Sequence, residues 1–269
     1  MKLISKENLN ILWAISFVLI LGSCSKDSGN CDPNDETSPC YAGVPAGAQL
    51  LLVETRKNGI TELKFDYDAQ NRIIKRYIYA EEGGLHTEHH TYKDKKLITV
   101  RRMAGEDLVM GEEYFYGTGD KPISAVLTNN KNEIDVNVTY SYSGSDVTET
   151  SYDTEGNLLG TNTYTFDEKG NPLMRKTGSL GHSLVEILGD YDNNPYAFTN
   201  HPWAWKTGST NNPRSYSRTL EGMDVPGANV DQVWEYTYND AGYPIKAEVF
   251  DRESDALVET HTFIYKTIE

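Results

Sequence analysis

The chain is poor in almost everything that marks catalysis or nucleic-acid binding. Only three of its 269 residues are cysteine, Cys24, Cys31 and Cys40, and all lie near the amino terminus. A disulfide-knit body is therefore excluded. Cations are scarce beside anions, 25 Lys and Arg against 40 Asp and Glu, for a net charge of −15. That balance argues against a nucleic-acid partner and against adsorption to anionic lipid. No Gly-x-Ser-x-Gly elbow and no His-Glu-x-x-His helix is present, and Glu88-His89-His90 has the wrong order and spacing for zinc. On an alternating strand, His89 and His90 would point to opposite faces. No phosphate-binding glycine loop occurs; Gly83-Gly84 reads as a turn. Asp190-x-Asp192-x-Asn194 begins like a calcium loop, but Pro195 stands where the loop needs glycine and His201 where it needs an acid. Forty acids always offer some pair, so carboxylate chemistry of the glycosidase type gains no support. These absences nominate no catalytic residue, metal ligand or cofactor.

What the chain does have is a repeated unit. Tyr236-Thr-Tyr-Asn-Asp-Ala-Gly-Tyr-Pro-Ile-Lys-Ala-Glu-Val-Phe250 recurs as Tyr164-Thr-Phe-Asp-Glu-Lys-Gly-Asn-Pro-Leu-Met-Arg-Lys176 and as Phe65-Asp-Tyr-Asp-Ala-Gln-Asn-Arg-Ile-Ile-Lys75. Looser copies begin at Tyr114, Tyr140 and Phe263. Each opens with aromatics two apart, which places both rings on one face of a strand. Asp, Asn and Gly follow, which is turn chemistry, and then a second alternating run. Gly170 and Gly242 occupy equivalent turn positions and are expected at φ > 0. The period is about 25 residues with two turns in each, so strands run roughly 8 to 10 residues. The expected fold is all-β: an antiparallel up-and-down meander of about 14 to 16 strands, forming a soluble barrel or a strongly curled sheet. Solubility is read from Glu133–Tyr142, where Ile134, Val136, Val138, Tyr140 and Tyr142 alternate with acids and small polar residues.

The Tyr-x-Tyr-Asp-x-x-Gly-Asn pattern resembles the Tyr-Asp repeats of RHS-type proteins. The ensemble also resembles an uncharacterised family of Bacteroidota-type lipoproteins with a porin-like fold. Asp190-Tyr-Asp-Asn-Asn-Pro-Tyr196 and Asn211-Asn-Pro213 are similar to an insertion of that family. The resemblance covers about residues 48–269. It implies an architecture and carries no activity.

Residues 1–23 read as an export signal. Lys2 and Lys6 precede the apolar stretch Ile11 to Leu21, which is short for a membrane span. Leu21-Gly-Ser-Cys24 resembles a lipobox, which implies cleavage before Cys24 and a lipid on its thiol. The expected address is the cell envelope, anchored by lipid at the outer membrane. Residues 24–47 are Ser-, Asp-, Asn- and Pro-rich and read as a flexible tether. Within it Cys31 and Cys40 either close a small disulfide loop or remain free thiols.

The body, 48–269, breaks its rhythm once, over about 178–214. Tyr196, Trp203 and Trp205 cluster there with Pro195 and Pro202. Two readings stand: a plug that fills or caps the barrel, or an aromatic stacking platform for a sugar or apolar ligand. The leading function is a non-catalytic binding module for a glycan or protein. The alternatives are a structural component without small ligand and, last, a hydrolase. The lipobox is directly testable: metabolic labelling with palmitate should mark the wild-type protein and leave Cys24→Ser unlabelled, and equal label in both would refute the anchor.

Overall fold

The structure, a computed structural model, describes residues 47–268 except 81–83, 180, 199, 223, 224 and 226. Cys24, Cys31, Cys40 and the leader lie outside the described residues. Within these, the first eight strands are β1 Leu50–Lys57, β2 Ile60–Tyr67, β3 Ile73–Tyr79, β4 Leu85–Lys93, β5 Lys96–Ala104, β6 Asp107–Tyr116, β7 Pro122–Thr128 and β8 Ile134–Ser143. The second eight are β9 Asp146–Tyr152, β10 Leu158–Phe166, β11 Pro172–Ser179, β12 His182–Gly189, β13 Ser215–Glu221, β14 Val230–Tyr238, β15 Pro244–Asp251 and β16 Leu257–Thr267. Every strand pairs antiparallel with its sequence neighbours, and β1 pairs with β16 from Leu50↔Thr267 to Lys57↔His261. The sheet is thus a closed barrel, which settles the choice between barrel and curled sheet. A single helical turn, α1 Ala204–Thr207, sits in the connection between β12 and β13. That connection, 190–214, is the irregular segment; residues 182–189, inside the break expected from sequence, continue the strand rhythm as β12.

The aromatic pairs divide their work. The first member of five pairs, Phe65, Tyr114, Tyr140, Tyr164 and Phe263, is buried in the barrel, and Tyr236 is half-buried. The second reaches back to the preceding hairpin. Tyr92 donates its hydroxyl to the Ile73 carbonyl (2.9 Å), Tyr116 to Leu97 (2.7 Å), Tyr142 to Pro122 (2.7 Å) and Tyr265 to Pro244 (2.8 Å). Each acceptor sits at a register shift of its hairpin, where Tyr67 meets Ile73, Tyr92 meets Leu97, Tyr116 meets Pro122 and Tyr238 meets Pro244. A bulge disrupts the ladder locally, and the neighbouring repeat's phenol serves the carbonyl beside it. The result is a chain of rungs linking hairpin to hairpin around one rim. Phe166 holds the corresponding position without a hydroxyl, so it makes no such rung to the β8–β9 hairpin, and Tyr191 makes the next one, to Pro172.

The turns on that rim share a second device. Asp68, Asp167 and Asn239 each accept hydrogen bonds from the backbone N–H groups two and four residues on. The residue three positions on has positive φ: Asn71 at 60°, Gly170 at 86° and Gly242 at 84°. The glycines therefore stand where the sequence placed them. This rim, where β1 begins and β16 ends, is called the upper rim.

Outward-facing residues midway along their strands include Arg101, Glu113, Asn137 and Thr139, all exposed. A lipid-facing barrel carries an apolar band at that height. Many of the large exposed apolar residues stand at or beside strand ends, Ile60, Leu85, Ile134, Leu158 and Leu257 at one rim and Ile74, Ile123 and Leu173 at the other, while Val109 and Ile187 lie further in. A Cβ at Gly242 would meet no atom closer than 3.5 Å, so the φ of 84°, which disfavours a β-branched residue, is the cost that Gly242→Val must carry. That cost is expected to be on the order of 1 kcal/mol or more, read as a lowered thermal midpoint; an unchanged midpoint would show that the turn has no need of glycine.

Candidate functional site: the plugged mouth

Residues 190–214 leave the wall at the upper rim, fold inward and return to it. Buried asparagines fix the path. Asn171, at 0 % exposure, accepts from the backbone N–H of Asn211 (2.8 Å) and Thr210 (3.1 Å) and from the Ser209 hydroxyl (3.1 Å). Asn211 donates to the Asn194 carbonyl (3.0 Å) and Asn212 to that of Pro195 (3.0 Å). The Asp192 carboxylate accepts from the Asn194 and Asn212 N–H groups, from the Asn212 amide and from the Tyr238 hydroxyl. The Asp190–Asn194 run is thus an Asx-turn knot whose central carboxylate is already engaged by the protein.

From this knot the segment reaches both halves of the core. Ala197 lies in one apolar cluster with Leu52, Phe65, Ile73, Ala247 and Phe263. Trp203 lies in the other with Leu97, Val100, Tyr114, Ala125, Val138 and Tyr140. Trp203 is 9 % exposed, donates from Nε1 to the Tyr114 hydroxyl (2.6 Å) and stands edge-on to His90 (5.4 Å). Lys206, on α1, reaches the wall through an ion pair with Glu149 of β9 at 2.6 Å. Glu149 also accepts from the Asn162 amide at 2.7 Å. Burial opposes the Lys206 ammonium, but the Glu149 carboxylate outweighs it and holds the lysine above its usual pKa. Burial likewise opposes the Glu149 charge, and Lys206 with Asn162 holds that carboxyl below its usual range.

A charged layer adjoins Trp203. Glu88, 1 % exposed, is bridged by Arg76 at 2.6 Å and by Arg102. Arg76 also lies over the Trp203 ring at 5.3 Å. His90, 4 % exposed, is pushed down to about 4, first by burial and further by Arg76, so it is neutral at pH 7. His89 is exposed, so the two histidines do point to opposite faces. Among the described carboxyl groups whose pKa is displaced, Glu54, Asp68, Glu149, Asp153, Asp167, Asp251 and Glu259, every displacement is downward. A glycosidase acid needs the opposite shift.

Above the plug lies an open cleft of about 650 Å³ between the segment and the rim turns. Trp205, half-buried, lines it together with Tyr92, Tyr116 and Asn200. The Trp205 ring meets Tyr114 edge-on at 5.4 Å, and its buried Nε1 has no acceptor among the described residues. Tyr196 is set apart, packing on Phe198 at 5.7 Å, with its phenol pKa raised by burial. The three aromatics singled out from sequence are therefore divided: Trp203 is in the core, Tyr196 is packed beside Phe198, and Trp205 is at the mouth.

Sequence reasoning missed the cations of this cleft. Arg72 lies over the Tyr92 ring at 4.7 Å, Lys96 over Tyr116 at 5.1 Å and Lys121 over Tyr142 at 5.0 Å. They fall about 25 residues apart, the period of the repeat, and that spacing was the available signal.

No known protein family matches the chain, and no curated protein matches it in sequence. Among solved structures, a porin-like protein from Bacteroides vulgatus superposes with a TM-score of 0.52 at 15 % identity, over 80 % of this chain and 98 % of that one. A porin-like protein from Bacteroides uniformis gives 0.49 at 12 %, over 77 % and 89 %. At such identities the first likeness speaks for the fold alone, and the class is a porin-like β-barrel. Trp203→Ala is expected to cost about 3–5 kcal/mol in chemical denaturation, because it empties a site in the core. A variant as stable as wild type would remove Trp203 from the plug.

Proposed function

We propose that this protein is a non-catalytic, lipid-anchored cell-envelope module that binds a saccharide in its plugged mouth, at the outer membrane. The observation that carries this is Trp205, an indole on the wall of a 650 Å³ cleft. That volume lies in the range of small-ligand sites, and flat aromatic faces suit sugar C–H groups. The downward displacement of the carboxyl groups supports binding over hydrolysis. The tether predicted for 24–47 enters the barrel at β1, and Gln49 lines the same cleft, so anchor and mouth would share one end.

A structural role without small ligand is the second reading, favoured by the burial of Trp203. One experiment separates the two. Wild type should bind members of a panel of neutral and acidic oligosaccharides, and Trp205→Ala should lose that binding while staying folded. Binding of nothing in the panel, or equal binding by the variant, would favour the structural component.

A further inference from the structure

We infer that the saccharide recognised at the mouth carries negative charge, as a uronate, sulfate or phosphate group. This rests on the saccharide-binding reading above and adds the ligand's chemical class. The chain has a net charge of −15, yet Arg72, Lys95, Lys96 and Lys121 converge on one cleft where, among the described lining residues, Asp120 is the only carboxylate.

The local balance sharpens the point. Arg72 spends its charge on Asp68, at 2.6 Å. Lys96 donates to the Gly119 carbonyl at 2.8 Å and lies 4.0 Å from Asp120, which is fully exposed. Lys121 has the Tyr142 ring beneath it, and Lys95 is exposed; neither has an ion-pair partner among the described residues. Two uncompensated ammonium groups thus flank the wall that Trp205 and Tyr116 line. An acidic protein with uncompensated cations in one concave, aromatic place presents an attractive local field there against a repulsive background. The cleft is concave, which suits a short oligosaccharide and not a flat bilayer. A tyrosine with a cation over its ring is also held in orientation, and Tyr116 is tied at its hydroxyl as well.

The mature chain should be titrated calorimetrically with trigalacturonate, its methyl ester, and sulfated and phosphorylated oligosaccharides of similar length. Binding of acidic members, weakening with added salt, is expected, and the ester should bind roughly tenfold less tightly or not at all. The double variant Lys95→Glu/Lys121→Glu, checked for an unchanged thermal midpoint, should lose roughly tenfold or more for acidic ligands. Trp205→Ala should weaken acidic and neutral ligands alike. If ester and acid bind equally, or the double variant binds like wild type, the charge assignment is wrong while the saccharide site stands. If no oligosaccharide binds, both fail. Binding to phosphatidylglycerol vesicles through Lys95 and Lys121, without oligosaccharide binding, would replace the saccharide by a lipid headgroup and overturn the inference.

Discussion

The structure depends on a problem of diameter. Barrel width grows with strand number, and only near eight strands can side chains from the wall meet across the interior. Sixteen strands leave a lumen that the wall cannot fill. The segment 190–214 answers this by carrying apolar side chains inward on backbone of its own. Ala197 joins one cluster and Trp203 the other, so each half of the core has a plug residue among its members. Bringing backbone inside a barrel exposes N–H and C=O groups to a site without ladder partners. The buried asparagines 171, 211 and 212 meet that need, since an amide both donates and accepts.

The same logic shapes the wall. A hairpin that turns through a bulge disrupts the ladder beside it, and a tyrosine one repeat later supplies a hydroxyl there. Because donor and acceptor belong to successive repeats, the rungs bind each hairpin to its neighbour beyond the ladder itself. The rim cations add a further tie by lying on these rings. One residue type, tyrosine, therefore serves packing, carbonyl satisfaction and charge placement, each from a different part of the side chain.

Charge is then left where the scaffold has least use for it. The buried ions are matched: Glu88 with Arg76 and Arg102, and Glu149 with Lys206. A buried pair offsets its desolvation only through close geometry and further hydrogen bonds. Glu149 has both, with Asn162 as the further donor, whereas Glu88 relies on its two guanidinium partners, its Oε2 having no hydrogen bond among the described residues. Arg72 is matched at the rim, whereas Lys95 and Lys121 are not. Two unmatched ammonium groups in one concave, aromatic place are the charge feature of the cleft.

The sequence by itself determined the hairpins, the inward and outward faces, the near count of strands and the positive-φ glycines. All of these are local: a two-residue alternation, an Asx turn and a period of about 25 are legible within one repeat. It also marked about 178–214 as the one departure, of which the structure leaves 190–214 irregular, and His89 and His90 as opposed. Tertiary structure alone decided what depends on distance along the chain. Barrel closure joins Leu50 to Thr267, Trp203 finds Tyr114 across 89 residues, Lys206 finds Glu149 across 57, and Asn200 finds the Asn71 carbonyl across 129. No periodicity encodes such partners, because they follow from how far the sheet curls before its edges meet. That curl separates Trp203 in the core from Trp205 in the cleft, two positions apart in sequence, and it gathers Arg72, Lys96 and Lys121 from three repeats at one mouth.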